Sequence, residues 1–405
     1  MPESSLVVRG SIATPNSRNN SIEVIQDGAV VVAGESISWV GEFSKVASNA
    51  DVVDFRGHLI TPGLVDAHAH PVFGANRVSE YEKRSKGATY QEIAAEGGGI
   101  QSTVRATRAA SEDELVQAGK KYARWFLSNG TTTLEAKSGY GLSLKDELKM
   151  LRAIRRLSEE TPLDYIPTCL SAHAFPPEFQ DDRAGYVNLL CNEILPAVAK
   201  ERLAEFADAF CEEKYFDLAS TERILAAAKT LGLGIRLHAD QLTKCGGAQL
   251  AAKLGAKTAD HLEQTDEEGI RALAEAGVQP VLLPGSVYAL GLDHYPNARA
   301  MLDAGLEVVL ASDFNPGSSP TPSLPFVMSL ACTQMKMTPE EAFRGCTINA
   351  AKSLDRDLDR GSLEVGKRAD IIVWDCDDYR EIPYWIGVPL VHAVFVQGTQ
   401  VFTAT

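Results

Sequence analysis

The chain has 405 residues, which exceeds one ordinary domain and favours a large domain with a smaller one beside it. Hydrophobic residues make up 45% of the chain and charged residues 23%, a balance that is typical of folded proteins in water. The formal net charge of −15 disfavours binding to nucleic acid or to an anionic membrane, because both need basic patches. It does not exclude a small anionic substrate held by one Arg in a pocket.

The N-terminal residues Met1–Ser5 lack the basic region and apolar stretch of a secretion signal, and no window is apolar enough to span a membrane. The seven cysteines are scattered, odd in number and form no Cys-x-x-Cys pair. They are typical of reduced thiols in the cytosol and not of a disulfide framework. We therefore expect a cytoplasmic protein.

Both ends of the chain contain short strand-like runs interrupted by glycine. Near the N-terminus they are residues 6–14, 28–33 and 36–41, and towards the other end they are 369–375 and 391–402. The simplest interpretation is one β-sandwich domain built from residues 1–57 and 361–405, beside a second domain over residues 58–360.

Between these ends, short apolar runs alternate with longer helical stretches. The predicted strands are 64–68, 131–135, 165–171, 204–211, 234–238, 258–261, 279–283 and 307–312. The predicted helices are 111–128, 143–160, 182–200, 221–231, 246–254, 266–276, 297–304 and one that begins at Thr338. Ser111 and Glu114 have the spacing of a capping box at the start of the first helix. Eight alternating units predict a parallel (β/α)₈ TIM barrel, so the fold class is α/β.

Barrel enzymes carry their chemistry where the strands end, and those positions are rich in histidine here. Five of the eight histidines lie at predicted strand ends: His68, His70, His173, His238 and His261. Asp313 follows the last predicted strand. Alone, His238 would be interpreted as a core residue and Asp313 as a loop cap, and an isolated His-x-His is often not a ligand pair. Together they predict a site for one divalent metal, Zn²⁺ or Fe²⁺, with His68, His70, His238 and Asp313 as ligands and one position open for water.

The order of these motifs resembles that of the amidohydrolase superfamily, in its subgroup with a single metal and no carbamylated lysine. Within it the chain is similar to the imidazolonepropionase family over nearly its whole length. The segments that carry the similarity are 69–77, 86–90, 97–100, 137–142 (KSGYGL), 171–177, 238–241 (HADQ), 259–262, 313–317 (DFNPG) and 361–370. The resemblance implies hydrolysis of 4-imidazolone-5-propanoate to N-formimino-L-glutamate in histidine degradation, with metal-activated hydroxide attacking the lactam carbonyl. It also suggests a homodimer.

The same resemblance implies a set of residues that bind the substrate. Arg77 would pair with the propionate carboxylate, and the others are Tyr90, Tyr140, His173, Gln241, Asn315, Gly317 and Ser318. Asp313 would also accept and return a proton, and His261 would stabilise the developing oxyanion, orient the water or serve as a fifth ligand. Position 241 is Gln where some relatives carry Glu, so a role for it in proton transfer is in doubt. Lys214, several residues past a strand end, is interpreted as a surface lysine.

Two alternatives remain open from the sequence. Another amidohydrolase, such as a guanine or cytosine deaminase or a formimino-glutamate deiminase, would use the same metal to attack an amidine carbon. A barrel with a structural metal or none would be a binding protein, although structural zinc sites are usually closed and rich in Cys.

Overall fold

The protein consists of two β-sheets with helices around the second, as described by a computed structural model that covers residues 5–19, 21–47, 51–88, 92–93 and 97–404. The strands in these residues are β1 Ser5–Pro15, β2 Ile22–Ala33, β3 Ser36–Glu42, β4 Asp51–Pro62, β5 Leu64–Asp66, β6 Thr131–Lys137, β7 Asp164–Ala172, β8 Phe206–Cys211, β9 Gly234–Ala239, β10 Thr258–His261, β11 Gln279–Leu282, β12 Val309–Leu310, β13 Ile371–Trp374, β14 Val391–Val396 and β15 Thr399–Thr403.

The first sheet has seven strands in the order β15-β14-β13-β4-β1-β2-β3 and joins the two ends of the chain. β4 pairs parallel with β1 and antiparallel with β13, and it extends past residue 57, where the sequence predicts the end of the first segment. The prediction of one strand over 391–402 is wrong, because Gln397 and Gly398 adopt left-handed conformations (φ 49° and 74°) that turn the chain into a hairpin.

The second sheet contains the eight parallel strands β5 to β12, each beside its neighbour in sequence. A bridge between Ala69 and Phe314 joins the first strand to the last. Across this seam the Asp313 N–H donates to the carbonyl of His68 (2.9 Å), and the His70 N–H donates to the carbonyl of Phe314 (2.8 Å). The predicted barrel is confirmed, and three of the four predicted metal ligands, His68, His70 and Asp313, lie at its seam.

The helices of the described residues are α1 Val78–Ser85, α2 Ile100–Ala109, α3 Glu112–Ser128, α4 Leu144–Glu160, α5 Arg183–Leu189, α6 Leu195–Glu201, α7 Leu218–Thr230, α8 Gly247–Leu254, α9 Glu267–Ala276, α10 Pro284–Leu290, α11 Ala298–Asp303, α12 Leu324–Gln334, α13 Pro339–Gly345, α14 Ile348–Ser353 and α15 Glu381–Tyr384. None of them combines the length and the apolar character that crossing a bilayer would need.

The helix caps follow the sequence closely. Ser111 and Glu114 form the predicted capping box at the start of α3, and Thr338 with Glu341 forms another at α13. These capping signals lie within one turn of each helix, so the sequence alone identifies them.

The stretch predicted as one helix over 182–200 is interrupted instead by a π-turn at Leu190–Ile194 between α5 and α6.

One glycine connects the two sheets. Gly63 lies between β4 and β5, and its N–H donates to the carbonyl of Asp370 (2.9 Å). A Cβ at this position would lie 2.1 Å from Thr132 Oγ1, so only glycine lets the chain pass so close to β6. This tight passage places β5, and with it His68 and His70, at the barrel seam.

Candidate active site

A cavity of about 570 Å³ lies at the carboxyl ends of the barrel strands, within the range usual for small-molecule sites. Among the residues that the sequence predicts for the site, those that line it are His70, Arg77, Tyr140, His173, His238, Gln241, His261, Asp313, Asn315 and Ser318. His68 lies beneath it, fully buried. Tyr90 lies outside the described residues.

His68, His70 and Asp313 form one cluster at the base of the cavity. The Oδ1 atom of Asp313 lies 3.7 Å from Nε2 of His68 and 3.5 Å from Nε2 of His70. These ligand atoms all lie within 4.8 Å of one another. A single metal ion could therefore contact all three side chains.

His238 and His261 form a second cluster with the same His68. Their ligand atoms also lie within 4.8 Å of one another. The His68 and His238 rings are 4.5 Å apart between centroids, and the His238 and His261 rings 5.2 Å. The structure thus brings together the four predicted ligands and His261, which remains placed either to bind the metal or to act beside it.

Two of these residues have an unusual backbone. Asp313 and His261 adopt left-handed conformations, with φ of 51° and 79°. Such conformations cost a non-glycine residue about 1–3 kcal/mol and persist where the surrounding structure enforces them. His261 is the last residue of β10 and Asp313 lies three residues after β12, and both side chains line the cavity.

Carboxylates behind the histidines orient two of the rings. His68 Nδ1 lies 2.6 Å from Asp260 Oδ2, so this nitrogen carries the proton and Nε2 is left as the acceptor. His238 Nδ1 lies 2.9 Å from Asp208 Oδ2, a close contact that is not aligned as a hydrogen bond. The Asp208 Oδ1 atom accepts a hydrogen bond from the His238 N–H (3.2 Å).

The protonation states suit metal binding. Burial, followed by the charge of Lys137, lowers the pKa of His68 well below its usual value. Burial also lowers the pKa of His70. For Asp313, burial would raise the pKa, but the hydrogen bond from His70 and the charge of His261 outweigh it and the pKa falls. Near pH 7, His68 and His70 are therefore neutral and Asp313 is ionised.

The residues present fit a divalent metal. His68 Nε2, which lies 3.7 Å from Asp313 Oδ1, is buried and has no hydrogen-bond partner within the described part of the chain. A buried ring nitrogen without a partner is costly unless another group, such as a metal, uses it. Imidazoles with one carboxylate form a donor set that Zn²⁺ and Fe²⁺ both accept.

Arg77 is held by its neighbour in α1. Its Nε lies 2.7 Å from Glu80 Oε2, and the other oxygen of Glu80 accepts hydrogen bonds from the Gly99 N–H (3.1 Å) and the Ser102 hydroxyl (2.9 Å). Glu80 therefore anchors Arg77 to the start of α2. Gly99, in the segment 97–100 that carries part of the family similarity, thus helps to hold Glu80 against Arg77.

Tyr140 and His173 form an aromatic wall beside the metal ligands. The His173 ring stacks on His70 with centroids 5.2 Å apart, and Tyr140 lies 5.3 Å from His173. His173 Nδ1 lies 3.1 Å from the carbonyl of Gly139. Burial lowers the pKa of His173 well below its usual value, so the ring is neutral.

The loop after Asp313 is organised by Asn315. Its Oδ1 accepts hydrogen bonds from the N–H groups of Gly317 (2.8 Å) and Ser318 (2.7 Å), and its Nδ2 donates to the carbonyl of Asp313 (2.6 Å). The Asn315 side chain therefore shapes the loop as well as lining the cavity. A Cβ on Gly317 would lie 2.0 Å from Arg77 Nη1, so the glycine makes room for the guanidinium.

Gln241 and Lys214 also line the cavity. Gln241 is half-buried and follows Asp240. The Asp240 carboxylate accepts hydrogen bonds from the first two N–H groups of α8. Lys214 is exposed, as predicted, although it lies at the cavity rim.

Sequence reasoning assigned no role to Asp208, Asp260, Lys137 or Arg236, all of which are buried beneath the histidines. A charged residue inside an otherwise apolar strand, as in FADAFC and TADH, is the signal that could have identified them. Such residues need buried partners.

Comparison with known proteins agrees with this geometry. The sequence profile of the amidohydrolase family matches residues 59–401, and the chain belongs to this family of enzymes. It is 53% identical over 385 residues to the imidazolonepropionase of Solibacter usitatus, covering 94% of this chain and 92% of that protein. It is 46% identical over 379 residues to the imidazolonepropionase of Pseudomonas savastanoi pv. phaseolicola, covering 93% of this chain and 94% of the relative.

Solved structures support the fold. An adenosine deaminase from Xanthomonas campestris with bound zinc superposes with a TM-score of 0.73 at 19% identity, covering 99% of this chain and 93% of the other. At this identity the likeness concerns the fold alone.

Proposed function

We propose that this chain is a metal-dependent hydrolase that opens the ring of 4-imidazolone-5-propanoate to give N-formimino-L-glutamate. The observation that carries the proposal is one cavity that holds both the His/Asp cluster and Arg77. The cluster suits hydrolysis of a cyclic amide, and the guanidinium suits a carboxylate tail. The relatives named imidazolonepropionase, similar over nearly their full length, support the choice.

We propose one divalent metal per chain, Zn²⁺ or Fe²⁺, held by His68, His70, His238 and Asp313. When bound, such a metal lowers the pKa of a water molecule towards neutrality and polarises a carbonyl oxygen. This proposal rests on the donor set and on the buried, unpartnered His68 Nε2.

The remaining steps belong to protein side chains. Asp313, ionised and buried, accepts the proton of the attacking water and returns it to the leaving nitrogen. His261 lies beside Glu263 (Nδ1 to Oε1 3.4 Å). Burial would lower its pKa, but the charge and hydrogen bond of Glu263, together with the charges of Asp313 and Asp260, outweigh burial and raise the pKa. His261 therefore acts as the donor that stabilises the developing oxyanion or orients the water.

Arg77 binds the carboxylate, while Tyr140 and His173 form a wall for the ring. Gln241, Asn315 and Ser318 supply polar contacts, and Gln241 cannot titrate. We further propose a homodimer in the cytoplasm that acts on a small carboxylate-bearing substrate and binds neither nucleic acid nor membrane.

The test follows the ultraviolet absorbance of freshly generated imidazolone propionate with metal-loaded protein. We expect rapid loss of the ring chromophore with formimino-glutamate as product. Arg77→Ala should raise KM by about 100-fold, because a charge-assisted bidentate contact contributes about 1.5–3 kcal/mol. The matched control, Lys214→Ala, removes an exposed cation from the same cavity rim and should change KM little.

Loss of the ring no faster than the uncatalysed background would contradict the proposal. Release of ammonia from guanine, cytosine or formimino-glutamate would then favour a deaminase or deiminase of the same family. An equal KM for Arg77→Ala and the unaltered protein would mean that the substrate carboxylate does not bind at Arg77.

Gly317→Ala should also weaken substrate binding, because the added Cβ would collide with Arg77 Nη1. We expect KM to rise about tenfold with a smaller change in kcat, as a displaced clamp loses about 1–2 kcal/mol of binding. The double variant with Arg77→Ala should be no worse than Arg77→Ala alone. Additive effects of the two substitutions would show that Gly317 acts independently of Arg77.

A further inference from the structure

We propose that Lys137 is a positioning residue of the metal centre: its ammonium group holds Asp208 and Asp260 so that His238 and His68 are aligned for the metal. The inference rests on the proposed metal site and goes beyond it, since no catalytic or binding role has so far been given to Lys137.

Lys137 ends β6 directly beneath the histidine cluster and is fully buried. Its Nζ donates to Asp208 Oδ2 at 2.7 Å and to Glu135 Oε1 at 3.0 Å, and it lies 3.6 Å from Asp260 Oδ2. One ammonium group thus contacts carboxylates from three different strands, β6, β8 and β10.

Two of these carboxylates contact the histidines. Asp260 uses Oδ2, the oxygen near Lys137, to accept from His68 Nδ1 at 2.6 Å. Asp208 uses Oδ2, the oxygen that accepts from Lys137, to approach His238 Nδ1 at 2.9 Å. Lys137 therefore contacts both carboxylates that approach the two rings. Removing its ammonium would take the Lys donor from Asp208 and one of the two nearby cations from Asp260.

Arg236 is the other buried cation of this layer, but its contacts differ. Its Nε lies 3.0 Å from Glu135 Oε1, and a terminal nitrogen lies 3.8 Å from Asp260 Oδ2. The terminal nitrogens donate to the carbonyls of Ser353 (2.9 Å) and Ala67 (2.8 Å). Within the described residues, Lys137 is the one Lys or Arg that forms an ion pair with Asp208. Arg236 therefore cannot replace Lys137 at that carboxylate.

The charges show why a cation is needed there. Glu135, Asp208 and Asp260 carry three negative charges when ionised, against two positive charges on Lys137 and Arg236. Without Lys137, three buried carboxylates would remain with one cation, Arg236, which pairs with Glu135 and Asp260 and also donates to backbone carbonyls. Such uncompensated charge is unfavourable, so the carboxylates would shift or take up a proton.

The experiment measures metal affinity without substrate, by competition with a chelator for Zn²⁺ or Co²⁺. We expect Lys137→Met to bind the metal 10–100-fold more weakly, about the effect of losing an outer contact to a ligand. At saturating Co²⁺, its visible absorption spectrum should also shift, because the histidines are no longer held in the same geometry. Because no substrate is used, this result is independent of whether the ring-opening proposal holds.

Lys149→Met is the matched control. Lys149 is also mostly buried, and it donates to the carbonyls of Thr107, Arg108 and Ala110 far from the cavity lining. This variant should lose stability but retain the metal affinity and the Co²⁺ spectrum of the unaltered protein. Unchanged affinity and spectrum in folded Lys137→Met would overturn the proposal.

A second variant tests whether Lys137 acts by contacting Asp208 or only by balancing the buried charge. It also provides a test if Lys137→Met does not fold. Lys137→Met with Glu135→Gln removes one charge of each sign and preserves the net charge of the layer. We expect its metal affinity to remain low, because Asp208 still lacks its donor. Recovery of the affinity of the unaltered protein would mean that Lys137 acts through charge balance alone and would overturn the positioning role.

Discussion

Replacing Asp313 by Asn should lower kcat by about 10³-fold or more, since a positioned general base contributes roughly 10²–10⁴-fold. Asn has nearly the same size, but its amide can neither take up a proton nor bind a divalent metal as well as a carboxylate. The left-handed backbone at Asp313 also suits Asn, so the fold should be retained. The measurement is kcat for ring opening, together with the metal content of the purified variant.

Asp66→Asn provides the control. Asp66 is another fully buried aspartate at the barrel seam, and its Oδ1 accepts the Ser312 N–H at 3.0 Å. Asn can keep this hydrogen bond, so kcat should change less than about tenfold. If Asp313→Asn retained near-normal kcat with a full complement of metal, Asp313 would not be the base.

Removing the metal should abolish turnover while the protein stays folded. The barrel core consists of apolar side chains packed between the strands and the surrounding helices, and the His/Asp cluster lies only at the ends of the strands. Loss of the metal therefore leaves most of the buried apolar surface intact. We expect chelation to reduce ring opening to the uncatalysed rate, with an unchanged far-ultraviolet circular dichroism spectrum and a cooperative melt at a lower Tm.

Adding Zn²⁺, Fe²⁺ or Mn²⁺ to the stripped protein should restore turnover and identify the most active metal. Chelator already saturated with metal is the control and should have no effect. Unfolding on chelation would indicate a structural metal instead, and full activity after verified removal would exclude a catalytic metal.

The barrel could be predicted from the sequence because the patterns that indicate its strands and helices are local. Hydrophobic runs of strand length alternate with helical stretches, and caps such as Ser111 depend only on residues within one turn. The helices α1, α2, α10, α12 and α15 were not predicted. Of these, only α12 begins with a side-chain cap, in which Ser323 accepts a hydrogen bond from the Phe326 N–H.

Several site contacts could not be predicted because they join residues that are distant in sequence. Glu80 binds both Arg77 and the start of α2. The Asn315 side chain accepts a hydrogen bond from the backbone of its own loop, at the Gly317 N–H. The role of Tyr90 stays a prediction, as do those of the other substrate-binding residues.

By itself, the sequence determined which side chains with metal-binding chemistry stand at the strand ends, since a strand end and a histidine are both visible in a short stretch of residues. Only the tertiary structure decided that Asp260 contacts His68 and that Lys137 reaches Asp208. These pairs depend on how the barrel closes and on the register of its parallel strands. That register is set by the packing of the whole core, not by any segment alone.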